Sequence, residues 1–141
     1  MPIQTVLLPL FVQIVLTLGL FCWMAYHRVT VIRAREVHPR DIALRQPNWP
    51  PRVTQIANAA HNQLETPVLF YVLTILAIVT RHADMLFVVM AWIFVVLRLA
   101  HAYVHVTSNR LSLRGGVFGL CLLVLMLMWL IFIVRILLGL P

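Results

Sequence analysis

Asn58, His61, Asn62 and Glu65 stand at i, i+3, i+4 and i+7 in the segment NAAHNQLE, which is one face of one helix. Further on, RLAHAYVH sets Arg98, His101 and His105 at i, i+3 and i+7, again one face. These side chains have chemistry to offer. A carboxylate takes a proton or pairs with an ammonium, a guanidinium holds anions, and an imidazole trades protons near neutrality. Both stripes lie in apolar surroundings, so they must face the inside of a bundle: toward lipid, a charged side chain costs at least about 2.5 kcal/mol. Two roles are open for groups so placed. A buried acid–base pair can fix helix packing, and charged residues inside a membrane bundle mark functional cavities.

The two stripes also share a depth. The short link RHAD makes their helices antiparallel neighbours. Counted from His82, Glu65 is 17 residues back and Arg98 is 16 forward. His61 and His101 are 21 and 19 away, Asn58 and His105 24 and 23. At about 1.5 Å per residue, each pair is level to within a turn. The expectation is a buried Glu65–Arg98 contact on the cytoplasmic side of the membrane.

His101 and His105 have the i, i+4 spacing that binds zinc from one helix face, and His61 and Glu65 would complete four ligands. The pattern lacks the acid of H-E-x-x-H, and no metal is assigned. Cys22 and Cys121 lie inside apolar runs with no basic neighbour, so neither a disulfide nor a reactive thiol is expected.

The elements that position these residues follow from composition. Of 141 residues, 62% are hydrophobic and 11% charged. A soluble domain of this length is about a quarter charged. The chain therefore reads as all-α, an integral membrane four-helix bundle in one domain, residues 1–141. Its spans are expected at about 5–26, 53–80, 85–106 and 117–138, each long enough to cross a bilayer. The N-terminal apolar run lacks a basic n-region and a cleavage site, and is read as a retained helix.

All eleven basic residues are arginines, opposed by Glu36, Asp41, Glu65 and Asp84. Six lie in 27–52, and Arg110 and Arg114 in 107–116. The positive-inside rule places both loops in the cytoplasm and both termini on the non-cytoplasmic side. The same rule accounts for the net charge of +7 without a nucleic-acid partner. A bundle this small has little interior, and self-association would cover its polar stripe.

NQLE in the second span and RLAHAYVHVTSNRLSLR across the end of the third resemble the MAPEG family, the membrane-associated proteins in eicosanoid and glutathione metabolism. The resemblance covers nearly the whole chain and is closest to bacterial-type members, which implies a bacterial inner (cytoplasmic) membrane. It implies homotrimers that bind glutathione between subunits near the cytosolic face, with a lipophilic small molecule entering from the membrane lipid. Asn62 and Glu65 match the family's glutathione-contacting pair and Arg98 its third-helix arginine. Arg110 and Arg114 match the arginines that follow, the latter credited with stabilising the glutathione thiolate. Asn58, His61, His101 and His105 extend the same cofactor-binding set. Three positions depart from the eicosanoid enzymes: Asn58 stands where they have an arginine, His105 where some have a tyrosine, and Gly115 where one branch has a serine. Two functional readings follow. One is a glutathione transferase or peroxidase acting on a lipophilic substrate. The other is a non-catalytic membrane protein binding a lipid or protein partner on the same scaffold.

Overall fold

The computed structural model describes Met1–Pro141 and is entirely helical. Five α-helices build four membrane-length spans: α1 (Ile3–Arg33), α2 (Pro51–Asn62) with α3 (Thr66–Val79), α4 (Met85–Val106) and α5 (Leu111–Leu138). Each span is long and apolar enough to cross a membrane.

α1 continues past the expected residue 26 because nothing in YHRVTVIR breaks a helix. At about 1.5 Å per residue its length exceeds the roughly 30 Å hydrocarbon core, so one end projects beyond it. Arg35 closes it in the left-handed region, φ 58°, with Glu36 N–H donating to the Val31 carbonyl at 3.0 Å. The following loop folds back through a 3-10 turn at Pro39–Asp41 and buries Val37 against Val31 and Val53. Pro51 then opens α2, where its missing N–H costs nothing.

The second span, expected unbroken over 53–80, is divided at Gln63–Glu65. Pro67 is the cause: it has no N–H for the Gln63 carbonyl, and its ring would collide with that carbonyl in a continuous helix. Leu64 and Glu65 fall back on i−3 bonds, to His61 and Asn62 at 3.0 and 3.3 Å. Glu65 leaves the helical range, at φ −94° and ψ −107°.

α4 occupies the expected residues. Asp84 caps it, accepting from Phe87 N–H at 2.9 Å, and also pairs with Arg135 of α5 at 2.8 Å. α5 begins at Leu111 rather than 117, so most of the expected loop 107–116 is helix and Arg114 sits in its first turns.

Two layers of core hold the bundle. Toward the α3–α4 turn, Val6, Leu10, Phe70, Phe94, Cys121 and Leu125 pack together, with the Phe70 and Phe94 rings 4.8 Å apart. Toward the other end, Ala57, Ala59 and Ala60 of α2 meet Leu20 and Met24 of α1 and Ala102 of α4. Those alanines bring backbones close, the usual device where lipid competes equally for apolar surface. The outward faces carry exposed side chains such as Val15, Ile75, Val96 and Leu123, as lipid contact requires.

Candidate functional site

α2 and α4 run antiparallel and cap one another. The first residues of α2 serve the end of α4: Gln55 Nε2 donates to the carbonyls of His105 at 2.8 Å and Thr107 at 3.1 Å, and Arg52 Nη1 donates to that of Val106. In return Arg98 of α4 serves the end of α2. Its Nη2 donates to Asn62 Oδ1 at 2.6 Å, Gln63 Oε1 at 3.1 Å and the Asn62 carbonyl at 3.4 Å. A helix end leaves carbonyls without partners and carries partial negative charge. Arg98 thus meets the C-terminal end of α2 through two side-chain oxygens and, more distantly, one carbonyl.

Arg98 is fully buried, as expected, but its partner is not Glu65. Glu65 is exposed and makes no ion pair; the expected Glu65–Arg98 contact is absent. Its non-helical backbone turns it away, and Asn62 stands between the two, donating to Glu65 Oε2 from Nδ2 at 3.3 Å. At two levels the contact falls three residues earlier than expected: Asn62 rather than Glu65 meets Arg98, and Gln55 rather than Asn58 meets the backbone at His105.

Behind Asn62 lies a polar link absent from the sequence-based set. Gln13 of α1 donates from Nε2 to Gln63 Oε1 at 2.9 Å, and Gln63 Nε2 donates to the Ala59 carbonyl at 3.1 Å. Both glutamines are fully buried. The signal was present, since Gln13 is a lone amide in the apolar run PLFVQIVL. Arg98 Nε and Nη1 are buried without a partner.

The stripes meet in one groove of about 410 Å³. Asn58, His61, Asn62 and Glu65 line one side, His101 and His105 another, and Arg114, Gly115 and Phe118 of α5 complete it. Arg98 supports the groove from behind, through Asn62, and does not line it. Arg110, the cap residue of α5, is exposed and outside the groove. The His101 ring lies 5.5 Å from that of His105 and 5.8 Å from Phe118, and the Nδ1 atoms of both histidines are buried without a partner. Arg114 Nη1 donates to Asn109 Oδ1 at 2.6 Å. No group of three or more metal-ligating side chains converges anywhere in the chain.

A second cavity of about 760 Å³ adjoins the first, sharing Asn58 and His61. Arg28, Arg45, Trp49 and Phe21 are among its walls. The Arg28 guanidinium lies 4.9 Å from the Trp49 ring centre, a cation–π distance. Arg52 is committed elsewhere, to the end of α4 and to Trp23, whose ring centre is 5.5 Å away.

Four membrane-length spans around a buried arginine, with a polar groove between the broken second span, the third and the fourth, define an integral membrane helical bundle with an internal polar site. The chain matches the model of the MAPEG family over residues 6–134, and it belongs to that family. No curated protein and no solved structure matched it.

Proposed function

We propose that the groove binds glutathione and presents it to a lipophilic electrophile or hydroperoxide arriving through the bilayer. The observation that carries this reading is the convergence of Asn58, His61, Asn62, Glu65, His101, His105 and Arg114 on one cavity. Its size lies within the roughly 300–1,000 Å³ of small-molecule sites. The residue types suit a zwitterionic tripeptide thiol. Glu65 is an exposed carboxylate for an ammonium, Asn58 and Asn62 are amides for polar contacts, and Arg114 is a guanidinium for an anion. Arg28 and Arg45 in the adjoining cavity are guanidinium groups for carboxylates.

When bound, glutathione supplies the sulfur nucleophile. Arg114 holds negative charge at that sulfur and so favours the thiolate over the thiol. Asn62 fixes the level of Glu65 against Arg98, and Phe118 closes the groove with an apolar wall. Self-association as a trimer supplies the missing side of a groove that one subunit leaves open. The Arg-rich loops set this face toward the cytoplasm, in a bacterial inner membrane.

A second reading is supported by the groove's single arginine. Asn58, where the eicosanoid enzymes have an arginine, leaves less charge for two carboxylates, which suits a non-catalytic protein that binds a lipid or a protein partner. Turnover decides between them. Purified protein and Arg114→Ala are assayed with glutathione and a hydrophobic electrophile or hydroperoxide. Turnover lowered about tenfold or more in the variant supports catalysis. Turnover in neither protein supports the second reading.

A further inference from the structure

Asn109 is one of four non-glycine residues with positive φ, at 49°. Asparagine tolerates this region better than most side chains, and the turn uses it twice. Its N–H donates to the Val104 carbonyl at 2.8 Å, closing α4 just past His101 and His105. Its side-chain oxygen accepts from Arg114 Nη1 at 2.6 Å. One residue therefore joins the end of the helix carrying the imidazoles to the guanidinium on the next helix.

An arginine side chain is long and has many rotamers, and Arg114 has no other side-chain partner. A guanidinium carries five N–H groups in a fixed plane, so holding one Nη sets the direction of the rest. The acceptor is also neutral. A carboxylate at the same place would pair with Arg114 and cancel the charge that the groove needs, whereas a carboxamide orients the group and leaves its charge intact.

We infer that Asn109 is the positioning residue for Arg114: it anchors one edge of the guanidinium and leaves the remaining N–H groups, and the full positive charge, to an anionic ligand atom in the groove. This rests on the glutathione reading above. Two substitutions separate orientation from charge. Asn109→Gly keeps the left-handed backbone, which glycine adopts freely, and removes only the tether. Asn109→Asp keeps a tether and neutralises the cation.

The test measures kcat/KM against pH for wild type, N109G, N109D and R114A, in detergent with glutathione and one hydrophobic electrophile, alongside thermal melts. N109G is expected to lose about tenfold in kcat/KM with its melting temperature unchanged. N109D is expected to move the acid limb of the profile to higher pH, because the thiolate loses its counter-charge; a purely structural asparagine would leave that limb in place. Should N109G fail to fold, N109D alone decides by its profile. Wild-type rates and profile in both Asn109 variants, with R114A impaired, overturn the assignment. Wild-type protein that neither binds nor turns over glutathione overturns the reading of the groove and the role of Asn109 with it.

Discussion

Asn62 holds Arg98 from one end of its carboxamide and Glu65 from the other: Oδ1 lies 2.6 Å from Arg98 Nη2, and Nδ2 lies 3.3 Å from Glu65 Oε2. An amide, not a carboxylate, therefore compensates the buried guanidinium directly. It is joined by Gln63 and, at 3.4 Å, by the Asn62 carbonyl, which also accepts from Glu65 N–H.

Removing the amide should cost more than removing the acid. Asn62→Ala leaves a fully buried cation with one fewer partner, and a hydrogen bond to a charged group is worth about 1.5–3 kcal/mol. Glu65→Gln changes an exposed group with no ion pair, where effects stay within about 0.5 kcal/mol. Thermal unfolding in detergent ranks the two, and a larger loss for Glu65→Gln would contradict the geometry.

The break itself should be needed for binding. Pro67→Ala restores an N–H that can reach the Gln63 carbonyl, extending α2 into α3 and carrying Asn62 and Glu65 out of place. Melting temperature is expected to hold or rise while glutathione affinity falls about tenfold, a change of about 1.4 kcal/mol. Binding by the variant equal to wild type would show that the groove does not depend on the break.

At the far end of the bundle, Asp84 couples stability to pH. Partial burial pushes its carboxyl up, but the Phe87 N–H and the Arg135 guanidinium outweigh this and hold it below the ordinary carboxylate range. A lowered carboxyl contributes stability above its unfolded pKa, near 3.9, and loses it as pH falls through the folded value. The pair is partly exposed, with side-chain accessibilities of 22% for Arg135 and 43% for Asp84, so it is worth no more than about 1 kcal/mol. Asp84→Asn, which keeps a cap, should lower stability slightly at pH 7 and remove that part of the loss below pH 4. Melts at both pH values provide the check.

The fold was legible where period and composition speak together. Four apolar runs of membrane length gave four spans, and the third agrees with its apolar run, 85–106. The stripes were legible too, since i, i+3, i+4 spacing survives any error of a residue or two at the helix ends. Pairing was not. Residue counting from His82 treats the second span as one straight rod, and Pro67 makes it two. The sequence contains that proline, but its consequence for Glu65 depends on which side of the break each side chain takes. The start of α5 was misplaced for another reason: Gly115 and Gly116 read as loop, yet they lie within the helix. The roles of Gln13, Gln63 and Asn109 depend on partners on other helices or a turn away, which spacing along one helix does not reveal.

If Arg114 gives this groove its affinity for an anionic thiol, calorimetric titration of glutathione into wild-type protein and Arg114→Ala will separate the two proteins. Saturable binding at millimolar concentration or tighter is expected in wild type, weakened at least about tenfold in the variant, or about 1.4 kcal/mol. Melting temperatures should stay close together, because Arg114 is only half-buried and bonded to a single neighbouring turn. No binding by wild type, or equal binding by both proteins, would contradict it.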